Sequence, residues 1–276
     1  MNDNRLSDLT IEWAKPSTWV DDIGRWVGQR LKPGGTERLA RRPRKLHACD
    51  DTEWLYQVGK ASRADLGDLL DEMANDLAAA RAIVFHGTRV DDPGCFSKEG
   101  LRVNDPDALE RRVRELLREE PELARRYPDP DRLLSTFEDR GRDAGRLFLA
   151  LDDRSLLDGG GHYLLYGSEW LQTLLGWDAH PVMRRRGHPT IVRAALPLDS
   201  VSAGVRNELA AKLLLEWARR TAIRTVEVPK LDFSFCLRGD LPPSAILGHE
   251  HPAEIEDPFH RVVWKTENRT CPDCSP

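Results

Sequence analysis

The chain has no run approaching the ~18 apolar residues that a spanning helix needs, so no membrane segment is expected. Its opening residues, MNDNRLSDLTIEW, lack a basic stretch followed by an apolar one, and no secretory leader is read there. Cysteine is sparse and scattered: Cys49, Cys95, Cys236, Cys271 and Cys274. An odd set of this kind does not make a disulfide framework and suits a reduced, soluble, cytoplasmic protein. Neither sign of charge prevails, with 41 Lys and Arg against 46 Asp and Glu for a net of −5. That balance excludes a surface given wholly to nucleic acid, but not a local basic groove. Internal repeats and low-complexity segments are also missing.

What is present is enough for a core. Forty per cent of the 276 residues are hydrophobic and eight are Trp. Four of these, Trp13, Trp19, Trp26 and Trp54, fall in the first 60 residues. Trp buries a large area only when packed, so residues 1–80 are expected to form a small, partly helical extension lying on a main domain of residues 81–276. The basic run ERLARRPRKL at 37–46 reads as a solvated loop, with an acidic partner or RNA backbone as the sharper alternative.

Periodicity predicts a helix over 62–81, with Leu66, Leu69, Leu70, Met73 and Leu77 on one face and Ser62 as its cap. The strand AIVF (82–85) follows. Asp105-Pro106 supplies an N-cap and a proline at the first helical position, opening a charged, largely helical insertion over 107–144. Further strands are predicted at 145–153, 190–198, 224–228, 232–238 and 261–265. Helices are predicted after Ser168 and over about 203–220, the latter with Val205, Leu209, Leu213 and Trp217 in a row. Residues 266–276 read as a flexible tail. Short strands mixed with helices, outside strict βαβ alternation, indicate an α+β fold.

The chemistry-bearing segment is IVFHGTR, where the first of these strands ends in His86-Gly87-Thr88. A histidine there can donate to a ribose hydroxyl while its second nitrogen is held by protein. The glycine admits a flat ring to the backbone, and the threonine adds a hydroxyl. Downstream come FSKEGL with Gly100-Leu101, the strand RLFLALDD, the tyrosine segment HYLLYGSEW and the turn LPPSAI. In that order these segments resemble the ADP-ribosyltransferase superfamily, which includes poly(ADP-ribose) polymerases and tRNA 2′-phosphotransferases. The resemblance covers about residues 82–106 and 145–250.

The resemblance implies a split β-sheet and NAD as co-substrate. His86 would hold the adenosine-side ribose, Gly87 would pin the nicotinamide amide, and Thr88 would complete the pocket. Phe148 stands where the family has its first tyrosine, and Tyr163 or Tyr166 would stack on the nicotinamide ring. The implied activity is transfer of ADP-ribose to a macromolecular acceptor, protein or nucleic acid, with nicotinamide released. The family's catalytic glutamate should fall at Ser234, where there is none. Glu227 is the first candidate in its place, before Asp232, Glu254 and Glu256, with His86 as its catalytic partner. A carboxylate about 4 Å from an oxocarbenium-like ribose, at an effective dielectric near 20, is worth roughly 4 kcal/mol, on the order of 10³ in rate. Its absence keeps open a second reading, a module that binds NAD, ADP-ribose or phosphorylated RNA without turnover.

Two other groupings stand out. Arg184, Arg185 and Arg186 in VMRRRGHP suit a diphosphate or a nucleic-acid phosphate, or simply a solvated loop. His249-x-His251, His260 and Cys271-x-x-Cys274 hold the elements of a tetrahedral zinc site. The H-x-H spacing is shorter than the finger pattern and the cysteines end the chain, so no metal ligand is assigned and zinc stays a secondary expectation.

Overall fold

A computed structural model describes residues 6–41, 52–223, 227–266 and 271. Helix and sheet are mixed in an α+β arrangement. Eight strands occur among the described residues: β1 (Thr10–Ile11), β2 (Arg81–Val90), β3 (Leu147–Ala150), β4 (His188–Pro197), β5 (Ser234–Leu237), β6 (Ile246–Glu250), β7 (Glu254–Asp257) and β8 (Val262–Lys265). No helix among the described residues is long and apolar enough to cross a membrane.

The chain separates into two compact units, one of residues 1–83 with 195–231 and one of 84–194 with 232–276. The expected boundary at residue 80 therefore misses a segment. In the first unit the Ala203–Ile223 helix completes what the N-terminal residues begin. The Arg206 guanidinium donates to the Ala74 carbonyl at 3.0 Å, and Asn207 donates to Asp71 at 2.7 Å. Residues 213–219 of this helix are buried on every side, so the fourfold row of apolar residues is only part of its packing surface.

The four N-terminal tryptophans are all buried, as their density predicts. Trp13 stacks on Trp19 at 5.5 Å and its Nε1–H donates to the Pro229 carbonyl at 2.9 Å. Trp26 donates to Asp76 at 2.8 Å while Arg30 lies over its ring. The predicted 62–81 helix is shorter, Leu66–Asp76, and its cap is Asp65, which accepts from the Asp68 N–H at 2.9 Å. Ser62 instead pairs with Leu31 in an isolated bridge. Of the basic run at 37–46, residues 42–46 lie outside the described residues.

The second unit holds β3, β5, β6 and most of β2 and β4, in the sheet order β5-β3-β2-β4-β6, with β7 and β8 as a separate hairpin. Asp105 caps the Pro106–Glu119 helix by accepting from the Asp107 N–H at 2.9 Å, and two shorter helices follow, Pro121–Arg126 and Pro130–Ser135. The insertion is helical for the predicted reason: proline at a first turn gives up an N–H that has no partner there anyway.

Glu227 departs from expectation. Residues 224–226 lie outside the described set, and Glu227 and Val228 form no strand. The Glu227 side chain is exposed, and its carbonyl accepts from Arg219 at 2.9 Å and Arg220 at 3.0 Å. Both arginines also bind the fully buried Glu216 carboxylate, Arg219 at 2.6 and 2.8 Å and Arg220 at 2.7 Å. Removing one partner of a buried ion group leaves the others uncompensated. Glu216→Ala is therefore expected to destabilise the protein by about 3–5 kcal/mol, read as a lowered urea midpoint. A loss under about 1 kcal/mol, the scale of an exposed pair, would contradict this account.

Candidate functional site

The conserved geometry of a strand, side chains alternating between faces, decides what β2 can offer. His86 is held by one strong contact: its Nδ1 lies 3.0 Å from the Phe148 carbonyl oxygen on β3. A carbonyl only accepts, so Nδ1 carries the proton. Burial lowers the imidazole pKa, the Phe148 carbonyl partly opposing it, and the ring is neutral at neutral pH. Its Nε2 is then an acceptor, not the donor that the sequence suggested.

Gly87 is buried, and a Cβ there would stand 3.2 Å from Leu156 Cδ2 and 3.6 Å from Leu164 Cδ2. The glycine thus lets two leucines close over the backbone where an open approach for a flat ring was expected. Thr88 is half-buried on the same strand. Phe148 is 41% exposed and lies opposite Cys236 across the β3–β5 pair. Ser234, the position lacking glutamate, is exposed and opposite Ala150, which in turn pairs with Phe85 next to His86. Gly100-Leu101 and the LPPSAI turn also meet. Leu101 and Leu241 exchange backbone hydrogen bonds at 2.9 and 2.7 Å.

The two tyrosines are engaged elsewhere. Both lie on the short Gly161–Tyr166 helix, whose Leu164 is one of the two leucines resting on Gly87. Tyr163 donates to Glu169 at 3.0 Å and sits against the His162 ring. Tyr166 is buried, stacked on His180 at 3.8 Å, and donates to Asp257. Burial, with the neighbouring Glu169 and Asp257, pushes both phenol pKa values well up. Neither ring is free to stack on a ligand at Gly87 in this arrangement.

Asp257 organises a constellation that the sequence reading missed. It is fully buried at the end of β7. Oδ1 accepts from the backbone N–H groups of Phe259 (3.0 Å) and His260 (3.2 Å). Oδ2 accepts from Tyr166, from His260 Nδ1 at 2.9 Å and from Trp264 Nε1 at 3.2 Å. Burial alone would raise this carboxyl, but Tyr166 and the His260 and Phe259 donors together hold it below the usual range. Around it lie Trp177, 63% exposed, and Phe259, 40% exposed, stacked at 5.9 Å. The signal in the sequence was the Asp-Pro-x-His turn of EDPFH, whose three-residue spacing lets a carboxylate reach both a backbone N–H and the ring of the same histidine.

The Arg184–Arg186 run is a helix end, not a loop, and its charges are spent within the unit. Arg184 lies 3.6 Å over the Trp264 ring. Arg185 pairs with Glu122 at 3.2 Å, and Arg186 with Glu120 at 2.8 Å and Glu119 at 2.5 Å. Arg89, directly after HGT, donates to the carbonyls of Leu164, Arg184 and Arg186, tying the ends of two helices to β2. All four candidate acids, Glu227, Asp232, Glu254 and Glu256, are exposed.

Asp153 and Glu250 were not singled out in the sequence. Burial raises both carboxyls, and Asp153 charge adds to the rise at Glu250. No protein-family model, curated protein or solved structure matches the chain.

The Asp257 network has a definite pH signature. A carboxyl depressed in the folded state adds stability that is complete above its unfolded value of about 3.9. That stability is lost as pH falls through the lower folded value. Asp257→Ala should cost about 3 kcal/mol or more near neutrality, since several buried donors lose their acceptor. Urea midpoints measured from neutral pH downward should show the gap to wild type shrinking in acid. A gap that stays constant would mean that Asp257 is not the titrating anchor.

Proposed function

We propose that the protein is an ADP-ribosyltransferase-like enzyme that uses NAD and passes ADP-ribose to a macromolecular acceptor. The carrying observation is His86: a neutral imidazole, locked by the Phe148 carbonyl, with Nε2 left as an acceptor for a ribose hydroxyl. Support also comes from adjacency. The His-Gly-Thr strand, the aromatic strand and the strand with Ser234 are neighbours in the order β2-β3-β5, and the Gly-Leu segment bridges to the LPPSAI turn. Phe148 adds an exposed aromatic face on β3.

In the transfer, the bond from ribose C1′ to the nicotinamide nitrogen breaks and its electron pair leaves with nicotinamide. An acceptor oxygen or nitrogen forms the new bond and gives up its proton to solvent. His86 would hold a hydroxyl of the adenosine-side ribose through Nε2 and so fix the dinucleotide for in-line attack at its nicotinamide ribose. A ring seated against Gly87 requires Leu156 to rotate away. Leu156 lies on the four-residue Arg154–Leu157 helix, two residues before Gly159-Gly160-Gly161.

One observation favours a second reading, an NAD or ADP-ribose binding module with little turnover. The carboxylate that would stabilise the cationic ribose is replaced by Ser234, and Glu227 carries an exposed side chain off any strand. Calorimetry and nicotinamide release separate the two. NAD or ADP-ribose should bind, and His86→Ala should weaken binding about tenfold, the loss of one hydrogen bond. Binding should persist to below the ordinary imidazole value of about 6.5 and then fall, because protonation turns Nε2 into a donor. Ser234→Glu should raise nicotinamide release, by up to about 10³ if the charge is fully used. Absence of binding to both ligands at millimolar concentration, or unchanged affinity in His86→Ala, would sink the proposal. Tight binding with no nicotinamide released, even in Ser234→Glu, selects the module.

A further inference from the structure

We propose that His249, His251 and Cys271 form a structural zinc site that fastens the end of the chain to β6. His-x-His is too short a spacing for two ligands on one helix face. On a strand it is the natural one, because residues two apart share a face. Both histidines sit at the end of β6 or just beyond it, with their rings 5.3 Å apart. Cys271, only 1% exposed, brings its Sγ to 3.2 Å from His249 Nε2. One ligand atom from each of the three residues lies within 4.8 Å of the others. The supposed flexible tail therefore has at least one residue held in the interior.

The observation that points to a ligand is on His251. Its Nδ1–H donates to the Pro189 carbonyl at 2.8 Å, which fixes the tautomer. The lone pair is then on Nε2, which is shielded from solvent and has no hydrogen-bond partner among the described residues. A second-shell carbonyl on one nitrogen with the other nitrogen aimed at the ion is the usual state of a metal-bound histidine. A buried acceptor with nothing to accept is otherwise unfavourable.

Two imidazoles and one thiol suit zinc, which takes nitrogen and sulfur ligands at about 2.0–2.3 Å. Ligand atoms in such a tetrahedron are about 3.5 Å apart, so closure from the observed spacing needs side-chain shifts on the order of 1 Å. On binding, the Cys271 thiol releases its proton to solvent and coordinates as thiolate. His249, His251 and Cys271 fill three of the four positions of a zinc tetrahedron. The ion would span the twenty residues from His251 to Cys271, which include the whole β7–β8 hairpin. That hairpin carries Asp257, His260 and Trp264, so the metal would hold both ends of the element that anchors Tyr166.

The test uses full-length protein from which any affinity tag has been removed. After equilibration with zinc and desalting, wild type should retain about one zinc per chain by elemental analysis. His251→Ala and Cys271→Ser should each lower retention tenfold or more against a competing chelator. Cys236→Ser, an exposed thiol on β5, serves as the control and should retain zinc as wild type does. Should a ligand variant fail to fold, cobalt-loaded wild type provides the second reading through a thiolate-to-cobalt charge-transfer band. Less than a tenth of an equivalent of zinc in wild type would overturn the proposal. So would wild-type retention in both His251→Ala and Cys271→Ser, or bound cobalt without the thiolate band.

Discussion

A carboxylate removed from water must be given donors on both oxygens, and in the second unit that requirement falls on Asp257. Five donors meet it, two from its own turn and three from Tyr166, His260 and Trp264. Satisfying it sets the position of the β7–β8 hairpin and of the Gly161–Tyr166 helix together. The helix can come so close only because Gly161 has no side chain: a Cβ there would be 2.0 Å from the Glu256 carbonyl oxygen. With the helix drawn to β7 through Tyr166, Leu164 on another of its faces rests on Gly87. The polar anchor thus governs how open the backbone at His-Gly-Thr can be.

This arrangement separates binding from chemistry in the candidate site. His86 presents a single well-defined acceptor because the Phe148 carbonyl selects its tautomer. The tyrosines, which the family resemblance would set against nicotinamide, hold Glu169 and Asp257. The charged groups are similarly committed: Arg185 and Arg186 bind acids of the helical insertion and Arg184 covers Trp264. Ion pairs of this kind cancel the electrostatic appeal that three consecutive arginines have on paper.

Local features were the most legible. Asp105-Pro106 begins a helix because its capping chemistry is complete within three residues. The four N-terminal tryptophans are buried, as their size demands, and a strand forms on the apolar run, but it does not end at His-Gly-Thr as expected and continues through it to Val90. Features that depend on a distant partner were not legible. Ser62 and Asp65 are both good caps, and Ser62 is instead drawn to Leu31. RTVEV has strand propensity, yet Glu227 and Val228 lie off any strand, where the Glu227 carbonyl receives Arg219 and Arg220. The strands β6 and β7 went unread because no residue of β6 is buried, and β7 is only four residues long with an acid, Asp257, at one of its two buried positions.

The sequence by itself determined the α+β character, the capped helices and the short list of residues able to do chemistry, because propensity, capping and alternation act over a few neighbouring residues. Only the tertiary structure decided which of those residues are still available. It gave His86 its acceptor, committed Tyr166 to Asp257, joined residues 195–231 to the N-terminal unit and brought Cys271 to His249 and His251. Each of these outcomes turns on a hydrogen bond or a packing contact between residues far apart in the chain, and periodicity carries no record of such pairs.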